Sequence, residues 1–159
     1  MQKPIFALTA FGLAFLSSSL ASADDVKIGN LTISAPYVRA MVPGAPVGGG
    51  YMTITNTGGT DDRLVAASSP RAATVQIHEM KMDNDVMIMR ELAGGLAIPA
   101  GKTIELKPGG YHLMFMKVAT PFLQGQTVRT SLKFEKAGTA EIDFPVGSIA
   151  ANKEASHVK

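Results

Sequence analysis

The chain has 159 residues, with 15 basic and 13 acidic side chains and no cysteine. A formal charge of +2 without any basic cluster argues against a nucleic-acid partner. The missing thiol excludes disulfide staples, thiolate catalysis and the cysteine ligand that blue-copper electron transfer requires.

At the N-terminus Lys3 precedes the apolar stretch IFALTAFGLAFLSSSL, and Ala21-Ser22-Ala23 follows it. A basic start, an apolar centre and a small-x-small end are the pattern of a cleaved secretory signal peptide, here over 1–23. The run is short and softened by serines, which disfavours a permanent span. No second apolar run follows, so no membrane insertion of the mature chain is expected. Residues 24–149 read as one domain with its own core, and 150–159 as a polar C-terminal tail.

Beyond the leader the pattern is that of strands. VKIGNLTISAPYVRAM gives two short extended pieces broken at Pro36. Tyr51 to Thr55 alternate, and a Gly/Asp turn leads to a second short strand. TVQIHEMKMDNDVMIMREL alternates on both sides of Asp83-Asn84-Asp85, which predicts a hairpin. KTIELKPGGYHLMFMKVA repeats that form around Pro108-Gly109-Gly110, and the last pair turns at Lys136-Ala137-Gly138. About eight short strands, with no sustained helical period, predict an all-β Greek-key sandwich or barrel.

Six of the nine methionines and two of the three histidines fall between His78 and Lys117, in two copies of His-x-Met. Alternation puts His78, Met80 and Met82 on one face of their strand, and His112, Met114 and Met116 on one face of theirs. A hairpin turning at Asn84-Asp85 sets Met80 opposite Met89 and Met82 opposite Met87. Thioether sulfur with imidazole suits Cu(I), whereas Mg, Ca and Mn prefer oxygen and zinc prefers Cys, His or carboxylate. Methionine is also adaptable core filler. Glu79, Lys81 and Arg90 alternate with these methionines and would face solvent, which would make the methionine face the core. Both readings stand on the residues alone; the repeated histidine is what packing does not require.

HEMKMDNDVMIMR, followed by IPAGKTIELKPGGYHLMFM and preceded by VRAMVPGAPVGGGYMTITNTG, resembles the periplasmic PCuAC family of copper chaperones, over about Ile33 to Pro145. The resemblance implies a cupredoxin-like β-sandwich, a periplasmic location and one Cu(I) per chain, held by His78, Met89, His112 and Met114. Ten residues separate His78 from Met89, as in the family pattern. Met89 and His112 are separated by 22 residues, one more than usual, within the loop-rich stretch ELAGGLAIPAGK. Met89 is preferred to Met87 on the first spacing and on its cross-strand place. Met80, Met82, Met87 and Met116 then shield the metal or serve as alternative ligands. Some relatives carry a His- and Met-rich tail for Cu(II); this tail holds only His157, which reads as a solvated side chain.

The implied role is delivery of Cu(I) to the copper-A centre of cytochrome c oxidase subunit II, with a Sco-type thiol protein as collaborator. No nucleophile elbow, phosphate loop or paired carboxylates point to an enzyme. The rival functions are copper sequestration with the same site, and a metal-free structural sandwich with a methionine-rich core.

Overall fold

Alternating apolar and polar residues resolve into eleven strands in a computed structural model that describes residues 24–151. The leader and His157 lie outside the described residues. The strands are β1 (Val26–Ile28), β2 (Leu31–Arg39), β3 (Val47–Asn56), β4 (Asp62–Ser68), β5 (Thr74–Asp83), β6 (Val86–Glu91), β7 (Leu96–Ile98), β8 (Thr103–Leu106), β9 (Tyr111–Met116), β10 (Thr127–Phe134) and β11 (Thr139–Gly147). Three of them, β1, β7 and β8, are only three or four residues long, which is why the alternation predicted fewer. Neighbours run β6-β5-β9-β8-β3-β2-β11-β10-β4-β7, and a further β4–β5 pairing brings the sheet round on itself. The all-β sandwich architecture is therefore as the sequence predicts. No helix among the described residues is long and apolar enough to cross a membrane.

The core comes from one face of nearly every strand. In β10 and β11, Val128, Thr130, Leu132 and Phe134 are buried, as are Ala140, Ile142, Phe144 and Val146, with exposed or half-buried residues between them. Phe115, Phe122, Phe134 and Phe144 are its largest fully buried side chains. Burying one such ring relative to leaving it in water is worth about 1.5–3 kcal/mol.

Two local expectations need correction. Pro36 does not break the second extended piece. The break is the turn at Gly29-Asn30, and β2 runs through Pro36 on a bulge between Ser34 and Tyr37, with Ala35 at φ 48°. A bulge leaves a residue out of the ladder, which is where a proline is tolerated. Pro108-Gly109-Gly110 likewise does not reverse the chain. β8 pairs with Met52–Thr55 of β3 and β9 with Val47–Gly50, both antiparallel, so β8 and β9 run the same way along one neighbour. The Pro-Gly-Gly segment is a side-step between them, closed by hydrogen bonds between Lys107 and Tyr111 and between Gly110 and Lys107. Turn chemistry marks a kink, and only the long-range pairing decides whether it becomes a hairpin.

Candidate metal centre

The β5–β6 hairpin forms as its sequence requires. Asn84 and Asp85 both take positive φ, 47° and 65°, the geometry of the two-residue turn that matches strand twist. The register then pairs Met80 with Met89 and Met82 with Met87, as predicted. It also has a periodicity that matters for the site. Leu92 N–H donates to Ile77 C=O at 2.8 Å, while Met80 N–H donates away from β6, to Gly110 C=O at 3.0 Å. Hydrogen-bonded pairs alternate with non-bonded ones, so Met80–Met89 and Met82–Met87 occupy non-bonded positions, where side chains approach most closely.

β9 lies on the other side of β5, with His78 directly opposite His112 and Gln76 opposite Met114. Burial shows which face is which. Val75, Ile77, Leu113 and Phe115 are buried in the core, and they alternate with His78, His112 and Met114. The histidines and methionines therefore occupy the outer face of the sheet, and the core-filler reading fails on this alternation. Glu79 is on the same face of β5 as Val75 and Ile77 but is only half-buried, at the core edge, where it pairs at 2.7 Å with Arg90, its cross-strand partner on β6. That is how one hairpin carries charge on the core-facing side.

On the outer face Met80, Met89, His112 and Met114 line an open cleft of about 260 Å³, walled by Arg39, Val47, Gly48, Gly49, Tyr51 and Gly109. The room depends on Gly49, which pairs with Met114: a Cβ there would stand 2.6 Å from the Tyr51 hydroxyl. His78 is beside the cleft rather than in its wall, its ring centroid 5.6 Å from that of His112. Met82, Met87 and Met116 are not among the cleft residues.

Hydrogen bonding fixes both imidazoles. Glu91 can only accept, so the Gln76 amide N–H donates to it at 3.1 Å and the Gln76 carbonyl oxygen faces His78. His78 Nε2–H then donates to that oxygen at 2.9 Å, and in the neutral imidazole it is Nδ1 that carries the lone pair. This Nδ1 is buried and has no hydrogen-bond partner. For His112 the tautomer is the opposite: Nδ1–H donates to Gly110 C=O at 3.1 Å, and Nε2 is bare. Burial pushes the His112 pKa below the usual imidazole value, helped by the neighbouring His78 and opposed by the Gly110 bond. The neutral ligand form is favoured.

The donor set is soft. Among the described residues no group of three or more His, Cys, Asp or Glu is placed to hold a metal. Burial raises the Tyr51 phenol, with Arg39 opposing it, so no phenolate is offered. Two bare imidazole nitrogens and the thioethers of Met89, Met114 and Met80 fit Cu(I) and suit no hard cation. Sequence reasoning missed Gln76, Glu91, Tyr51, Arg39 and Gly49. Only Gln76 had a local signal, two residues before His78 and so on the same face.

The model of LpqE-like lipoproteins matches residues 31–146. The chain named as lipoprotein Lxx21020 of Leifsonia xyli subsp. xyli is 32% identical over 122 residues, covering 77% of this chain and 72% of that one. Among solved structures, the copper-bound PCuAC domain from PmoF2 superimposes with a TM-score of 0.67 at 25% identity, over 79% of this chain and 98% of that one. The Cu(I) form of DR1885 from Deinococcus radiodurans gives 0.56 at 26% identity, over 83% and 85%. The chain belongs to the LpqE-like family, the family of PCuAC domains.

Proposed function

We propose that this protein is a periplasmic Cu(I) metallochaperone. It holds one Cu(I) on His78, His112, Met89 and Met114 and delivers it by ligand exchange to the copper-A centre of cytochrome c oxidase subunit II, with a Sco-type thiol protein as collaborator. The observation that carries the reading is the buried, unpartnered Nδ1 of His78 beside His112. Leaving such an atom unpaired costs about 1–3 kcal/mol, and a metal ligated there removes the cost. That similar domains have been solved with copper, PmoF2 and Cu(I)-loaded DR1885, supports the same cargo here.

Charge favours the monovalent ion. The ligands are all neutral, and the Arg39 guanidinium stands 5.5 Å from the centroid of the Tyr51 ring in the cleft wall. Neutral donors leave the charge of the ion uncompensated, and that cost is smaller for Cu(I) than for Cu(II). Access favours delivery over sequestration. Met89 is 45% exposed, so an incoming thiolate can displace its thioether while the two imidazoles still hold the ion. Copper passes from neutral thioethers to stronger anionic thiolates without being released. No bond of a substrate is made or broken, so the role is carriage rather than catalysis.

The test is transfer. The Cu(I)-loaded protein is mixed anaerobically with the metal-free soluble domain of oxidase subunit II, with and without a Sco-type protein, and the two are separated. Copper recovered on the acceptor is the expected result. Copper retained by the donor, with both acceptors present and reduced, would replace delivery by sequestration.

A further inference from the structure

Met82 and Met87 are not explained by the site just described. They form the next non-bonded pair of the β5–β6 ladder, two residues outward from Met80–Met89 on the same face. Each is about half exposed, at 54% and 49%, so neither fills the core. The positive-φ turn at Asn84-Asp85 closes the hairpin directly beyond them and holds their register.

The geometry points to a second, weaker Cu(I) site formed by the thioethers of Met82 and Met87, outboard of the main one. This inference rests on the proposed copper function. Directly opposed side chains in a non-bonded pair have Cβ atoms about 4.5–5.5 Å apart, a span that two flexible thioethers can close around one ion. Two-coordinate ligation by neutral sulfur is acceptable to Cu(I) and to few other biological metals. With only two donors and solvent on one side, this site binds less tightly than the four-donor site. The rise of a strand places it about 7 Å from the Met80–Met89 pair, close enough for copper to pass inward through Met80. The hairpin tip thus acts as the landing point and the cleft as the holding point. The step is pure ligand exchange, with copper remaining Cu(I) throughout.

The protein is labelled with methyl-¹³C methionine and titrated anaerobically with Cu(I), supplied as its acetonitrile complex, to two equivalents. The expected first equivalent shifts the Met89 and Met114 methyl signals, and the second shifts those of Met82 and Met87. A double variant, Met82→Leu with Met87→Leu, keeps the first set of shifts and loses the second. Met82 and Met87 signals that stay fixed through the second equivalent would overturn the outer site while leaving the main site intact. Shifts at Met82 and Met87 with none at Met89 and Met114 would uphold the outer pair and overturn the main site instead.

Discussion

Asp62 offers a way to separate what holds the fold from what holds the metal. Its carboxylate accepts backbone N–H bonds from Arg63 at 2.7 Å, Lys136 at 3.0 Å and Ala137 at 2.9 Å, tying the start of β4 to the β10–β11 turn. Asp62→Ala leaves these three donors without their acceptor. Each buried group left unpaired costs about 1–3 kcal/mol. The carboxylate lines an open concavity that water can enter, so the combined loss is smaller than the sum, about 2–4 kcal/mol. At roughly 3–5 °C per kcal/mol for a domain of this size, the midpoint of thermal unfolding falls by about 10 °C. Burial alone would raise the Asp62 pKa, but the three N–H donors hold it below the usual carboxylate value. A depressed folded value means the stabilisation is complete above the unfolded pKa of about 3.9 and is lost as pH falls through the folded one. The gap between parent and variant is therefore full at neutral pH and closes in acid. Asn56, which lines the same concavity, and Gly49, at the cleft, lie seven residues apart on β3, roughly 20 Å along the strand, so Cu(I) affinity is expected to be unchanged. Calorimetry of both proteins from neutral pH to pH 3 decides this. A difference under about 3 °C, or one that persists undiminished in acid, would refute the assignment.

Three further outcomes concern the site. Gln76→Ala releases His78 from its fixed tautomer and should weaken Cu(I) binding about 10–100-fold, as loss of an orienting partner typically does, with little change in melting temperature. Gly49→Ala drives a methyl into the Tyr51 hydroxyl. It should lower Cu(I) affinity, and a shifted Tyr51 ring resonance in the metal-free protein should accompany the loss. Met89→Leu and Met80→Leu are both close to isosteric; affinity should fall more for Met89→Leu, and the reverse order, measured by chelator competition, would make Met80 the sulfur ligand.

The hairpin was legible because its information is local. Two residues able to take positive φ, flanked by alternating methionines, leave one register. The cleft was legible only in part. The sequence of β5 alternates on both faces, and charged Glu79 and Lys81 made the methionine face look like the core. What decides the matter is that β5 runs past the core edge, so its odd-numbered residues are buried at Val75 and Ile77, half-buried at Glu79 and exposed at Lys81 and Asp83. Pairing with β9, 34 residues distant from His78 to His112 in the chain, sets that edge. Tyr51 and Arg39 enter from β3 and β2 for the same reason, and no spacing rule connects them to His78. The Pro108 and Pro36 segments show the converse: each carries strong turn chemistry, and the strand β3 absorbs one as a side-step and the other as a bulge.

The central claim is that outer-face histidines and methionines hold one Cu(I). Its most direct test is an anaerobic Cu(I) titration of residues 24–159 against a chromophoric chelator, with His78→Ala and Met114→Ala in parallel. One tightly held equivalent is expected in the parent, weakened in both variants while their unfolding curves stay close to the parent's. A parent that withdraws no copper from the chelator, or folded variants that compete as well as the parent does, would contradict it.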